Sequence, residues 1–118
     1  MLKEKTYQNY LKILKEELVP AMGCTEPIAL AYGAARAREV LGKEPERITA
    51  RCSGNIIKNV RCVTIPNSGG LTGIAASVVL GAVAGDASRN MEVLEGVTDQ
   101  GRARGGAFDF SGASAFCD

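Results

Sequence analysis

Leu71-Thr-Gly-Ile-Ala-Ala-Ser-Val-Val-Leu-Gly-Ala-Val-Ala84 is apolar on almost every side, with Thr72 and Ser77 its only polar members. A helix that is hydrophobic all round belongs in an interior. Small and β-branched residues dominate it, so neighbouring elements can approach closely. Extended to Gly85 the run is still shorter than the roughly 20 apolar residues that a membrane crossing requires. The stretch therefore predicts a buried helix at the centre of a helical core.

Two helices are predicted before it. Tyr7, Tyr10, Leu11, Leu14 and Leu18 recur at helical steps among Lys12, Lys15, Glu16 and Glu17, and Pro20 stops the pattern. The two tyrosines read as edge residues of the core. The second helix begins at Thr25 or Glu26 and runs through an alanine-rich surface to Gly42, a natural C-terminal stop. After Pro45, Ile48 to Cys52 alternates as a strand does, and Val60 to Ile65 has strand composition. Ile56 to Asn59 fits either a helical turn or more sheet. The expected class is α+β, mostly helical with a small β-sheet. Residues 1–100 form one domain in this reading, and 101–118, which carry no period, form a divergent tail expected to be disordered.

The 118 residues include 14 glycines, three Phe, three Tyr and no Trp, which describes close helix approaches and not a bulky aromatic interior. Lys and Arg number 14 against 13 Asp and Glu, so charge predicts no preference for nucleic acid or an anionic membrane. A small polar substrate or a protein partner suits this surface better. With no cationic and apolar leader visible, the expected location is the cytoplasm. Cys24, Cys52, Cys62 and Cys117 contain no Cys-x-x-Cys pair, and with no histidine a zinc site would need all four thiols.

The candidate chemistry lies at element boundaries. In Gly23-Cys24-Thr25-Glu26-Pro27, Thr25 is placed to cap the second helix, so the Cys24 thiol should meet free backbone N–H groups that favour thiolate. Ser53-Gly54-Asn55 and Asn67-Ser68-Gly69-Gly70 add two more boundaries with short polar side chains. Together they suggest a grip for a small anion beside a reactive sulfur. The plainer readings stand beside this one: bare turns for the two polar loops, packed hydrophobes for Cys52 and Cys62, and solvated charges for Arg51 and Lys58.

Four motifs in order carry a resemblance. Pro20-Ala-Met-Gly-Cys-Thr-Glu-Pro27, Ser53-Gly-Asn-Ile-Ile-Lys-Asn59, Val63-Thr-Ile-Pro-Asn-Ser-Gly-Gly70 with Gly73, and Gly81-Ala-Val-Ala-Gly-Asp86 resemble the N-terminal part of the L-cysteine desulfidase family, itself related to the alpha chain of iron-sulfur L-serine dehydratases. The resemblance covers about residues 8–99 and implies a lyase that eliminates the β-substituent of L-cysteine or L-serine, releasing pyruvate, ammonia and sulfide or water. It also implies a 4Fe-4S cluster with one open iron acting as a Lewis acid. On that reading Cys24 is the one metal ligand this chain carries. Thr25, Glu26, Ser53, Asn55, Asn67 and Ser68 bind the amino-acid substrate, and Lys58 stands as the general base.

After Gln100 the family pattern stops, which predicts a truncated product, inactive alone and poorly soluble or oligomeric. The expected partners are an amino-acid substrate together with a second copy or a complementing C-terminal chain, with no nucleic acid and no membrane. Two other readings are a non-catalytic amino-acid-binding or interaction module and a thiol-dependent redox protein using Cys24.

Overall fold

The structure is a computed structural model and describes residues 1–108. Its elements in order are α1 (Glu4–Glu17), α2 (Thr25–Leu41), α3 (Gly54–Val60), α4 (Ile74–Ala84), a 3-10 segment (Ala87–Glu92) and α5 (Asp99–Ala107). The local reasons are visible at the ends. Gly42, at φ 79°, closes α2 in the left-handed conformation and donates its N–H to the Arg38 carbonyl at 2.9 Å. Ser53 caps α3, and Thr98 caps α5 by accepting from the Gly101 N–H at 3.2 Å.

The predicted buried helix is α4, and residues 77 to 83 along it are all buried. It packs between α2 and α5. On the α2 side, a Cβ placed on Gly81 would lie 2.5 Å from the Ala31 Cα and closer still to its carbonyl oxygen. One turn further on, a Cβ on Gly85 would lie 3.1 Å from that of Ala35. On the α5 side, Gly101 would meet the Ala84 Cβ at 2.8 Å and Gly105 would meet Leu80 at 3.3 Å. Each contact pairs residues four apart on one element with residues four apart on the next, so the helices lie close along a straight seam, with backbone against backbone at Gly81 and Ala31. Ile28, Ile65, Leu80, Val93 and Leu94 fill the space around it. The Arg38 guanidinium donates from α2 to the Gly85 carbonyl, satisfying an end of α4 that would otherwise be bare.

The mostly helical reading holds, and the small β-sheet does not form among the described residues. Ser53 starts α3, which draws Ile56 to Val60 into helix, so only a short extended piece precedes the Pro66 turn. That piece meets the other side of its own loop in one isolated antiparallel bridge, Thr64 to Thr72. Ile48, Ala50 and Cys52 do alternate inward at half burial, but Ile48 to Cys52 lies along α2 and α4 and forms no strand ladder with the described residues.

Two further expectations change. Residues 101–107, which show no period, belong to α5, because glycine at 101 and 105 lets the turn pack flat on α4. The rest of the expected tail, 109–118 with Cys117, lies outside the described residues. Helix α1 buries no residue, and Tyr7 and Tyr10 are 48% and 53% exposed instead of edging a core.

The seam gives a direct test. Gly81→Ala gains roughly 1 kcal/mol of helix propensity but drives a methyl into the Ala31 backbone, an overpacking cost of about 1–3 kcal/mol. We expect a lower midpoint of thermal unfolding for Gly81→Ala. Gly33→Ala, exposed on α2 with no atom within 4 Å of the added methyl, should raise it.

Candidate functional site

Cys24, and not Thr25, is the N-cap of α2, and its side chain makes no capping hydrogen bond. Thr25 is the first helical residue and donates its hydroxyl to the Glu26 carboxylate at 3.3 Å. Cys24 is exposed, as is Cys62, while Cys52 is half-buried. The packed-hydrophobe reading of Cys62 is thereby corrected: α3 ends two residues earlier and turns that side chain outward.

Ser53 spends its hydroxyl as the cap of α3, accepting from the Ile56 N–H at 3.4 Å, and Asn55 and Lys58 are exposed on that short helix. The Gly23 turn comes against Pro66, since a Cβ on Gly23 would lie 3.1 Å from the proline ring. The first and third motifs are therefore neighbours. α3 packs on α2 and brings the second motif alongside α2.

Asn67 and Ser68 are occupied by structural work. Asn67 adopts φ 55°, and its amide donates to the carbonyls of Leu94, Glu95 and Val97 at 2.8, 3.1 and 3.2 Å. Its side-chain oxygen accepts from the Arg102 guanidinium at 2.8 Å, and the same nitrogen reaches the Asn67 and Val97 carbonyls at 3.1 Å each. Asp99 accepts from the other guanidinium nitrogen at 2.7 Å. Buried Ser68 accepts from the Leu71 N–H at 2.9 Å and so shapes its own loop. Arg102 is the residue that the sequence reading missed, because it contacts a loop 35 positions away and sits in a stretch with no period. Arg102 falls four residues after the Thr98 cap, and that cap was the available signal.

An apolar groove with a cavity of about 500 Å³ runs between α2 and the extended segment 45–52. Ala29, Ala34, Ala37, Leu41 and Ile48 are among its lining residues. Cys52, which precedes Ser53, lines the groove together with Ala29 of α2.

On the 3-10 segment, the hydroxyl and N–H of Ser88 hold the Asp86 carboxyl below its ordinary pKa. Sharing a hydrogen bond with Glu95 and repelled by its charge, the Glu92 carboxyl is pushed above its ordinary value.

Among curated relatives, the chain is similar to UPF0597 proteins: 56% identical over 93 residues to that of Finegoldia magna, 57% over 91 to that of Desulfitobacterium hafniense and 48% over 99 to that of Treponema denticola. These matches cover 79%, 77% and 84% of this chain but 22%, 21% and 23% of the relatives. The chain thus spans about a fifth of the length of the curated relatives it matches. No protein-family model matches it, and no solved structure does.

These findings correct the desulfidase reading. Relatives about half identical to this chain over the matched residues carry a name that states no activity, and none of those names mentions a lyase, an iron-sulfur cluster, cysteine or serine. The iron-sulfur lyase function, its N-terminal fragment assignment and the two alternative functions accordingly have no support. Among the described residues no three Cys, His, Asp or Glu side chains are grouped to hold a metal. Nor is any described helix long and apolar enough to cross a membrane.

The geometry makes two predictions. Asn67→Ala removes donors from three carbonyls and an acceptor from Arg102, and it places alanine in the left-handed region. We expect a loss of about 2–3 kcal/mol in denaturant unfolding. Asn67→Asp, which turns an acceptor toward the same carbonyls, should destabilise too. Glu92 has a raised folded pKa, so its favourable contribution is complete below the ordinary glutamate pKa of about 4.3 and is lost as pH rises through the folded value. Glu92→Gln should therefore raise the melting temperature at pH 7 and leave it unchanged near pH 3.

Proposed function

We propose that this chain supplies one wall of a site that a further polypeptide completes, with the glycine-packed helices holding that wall rigid. The observation that supports this is the groove between α2 and 45–52. Its lining follows one face of α2 from Ala29 to Leu41, a span of about 18 Å at 1.5 Å per residue, and is mainly aliphatic. A long trough whose floor is aliphatic and whose lining also includes Arg38, Arg47 and Arg51 suits an extended or helical segment better than a compact molecule. The relatives' length outside the match is ample to provide one.

In this reading a covering segment that follows the trough past Ala29 and Cys52 also encloses Cys24 and Ser53, their near neighbours in sequence, together with Glu26 and Asn55. Asn67, Ser68 and Arg102 act behind them, fixing the loop against which the Gly23 turn rests. In this reading the chain's own contribution is positional: it presents an exposed thiol and short hydrogen-bonding groups on a backbone that cannot shift without breaking the α2–α4 seam.

Co-expression tests the reading. The chain is produced with the part of the Finegoldia magna relative that lies outside the matched residues. A stoichiometric complex is expected, with slower alkylation of Cys24 than in the chain alone. Ala37→Glu, an exposed change on the groove wall, should weaken that complex at least tenfold while the isolated chain melts as before. Failure to associate at micromolar concentration, or a complex indifferent to Ala37→Glu, would overturn it.

A further inference from the structure

We infer that α1 is a self-association element that pairs antiparallel with α1 of a second copy of this chain. The helix buries nothing, yet Tyr7, Leu11, Leu14 and Leu18 are spaced by four, three and four, the stagger of a two-helix seam. Tyr7, Tyr10, Leu14 and Leu18 are 48%, 53%, 50% and 71% exposed. A helix with this stripe uncovered is an incomplete structure in water.

The register follows from the sequence of the stripe. Antiparallel pairing that sets Leu11 against the partner's Leu14 also sets Tyr7 against the partner's Leu18, and the two-fold axis repeats both layers. All four stripe residues are then buried in both copies. The flanks bring no like charges together: Gln8 falls beside the partner's Lys15 and Tyr10 beside the partner's Glu17. The packed helices α2 to α5 all follow the C-terminal end of α1. Antiparallel pairing sends the two bodies to opposite ends of the pair, while parallel pairing would crowd them together.

The half-exposed stripe offers roughly 500 Å² per copy, so the pair reaches about 1,000 Å², the lower bound for a specific interface. A dimer of micromolar affinity is the expected scale. This inference does not rest on the proposed wall function, because α1 and the α2 groove are different surfaces. Either can fail alone.

The full chain is examined by sedimentation equilibrium from about 1 to 100 µM. A monomer–dimer equilibrium is expected, shifted at least tenfold toward monomer by Leu14→Asp with an unchanged melting temperature for the rest of the chain. Orientation is read by cross-linking in a background with the native cysteines replaced. Tyr7→Cys and Leu18→Cys chains, mixed and oxidised, should give a crossed disulfide, and neither should link to itself. A monomer throughout the range, a dimer insensitive to Leu14→Asp, or self-linking of each variant would overturn the inference.

Discussion

The approach of α4 to the α2 backbone at Gly81 and Ala31 is the contact on which the rest of the fold depends. No side chain separates the helices there, so their distance is set by peptide atoms and leaves no room for adjustment. Once α4 is held that close, its opposite face becomes available to α5, which meets it through a second pair of glycines. Arg38 can then reach the Gly85 carbonyl. A core this thin in large residues obtains its dispersion contacts by bringing backbones together.

The seam also explains why polar residues in the loops are so fully engaged. The loop at 93–98 that leads into α5 leaves carbonyls that no helix satisfies. Asn67 serves three of them and Arg102 braces Asn67, so residues that look available for a ligand are consumed by the fold. What remains for chemistry is Cys24 and Asn55, both exposed, with Ser53 between presenting and capping α3. That division between bracing and presenting residues is why a wall completed by another polypeptide fits the chain.

Helix α1 stands apart from this system. Its amphipathic stripe has the strength of a core-facing helix, yet the connection through Pro20 and Gly23 does not bring it back to the other helices. Sequence periodicity specifies that such a face must be covered and is silent on whether the cover is within the chain. For α1, the self-complementary order of Tyr7, Leu11, Leu14 and Leu18 points to another copy.

The sequence by itself determined the helices α1, α2 and α4 and the burial of α4, because period, composition and end signals such as Gly42 are local. It also marked the inward alternation of Ile48, Ala50 and Cys52. Only the tertiary structure decided that this alternation faces helices and not a sheet, since alternation records which side is buried and not what buries it. Helix α5 was illegible for a related reason: Gly101 and Gly105 weaken a helix locally and gain their value only where Ala84 and Leu80 of α4 come within reach. The role of Asn67 was decided the same way, while Ser68 braces its own loop through Leu71 three residues on. A short polar side chain beside glycine reads alike as a ligand grip or a loop brace, and contacts 27 to 35 residues away made the braces of Asn67.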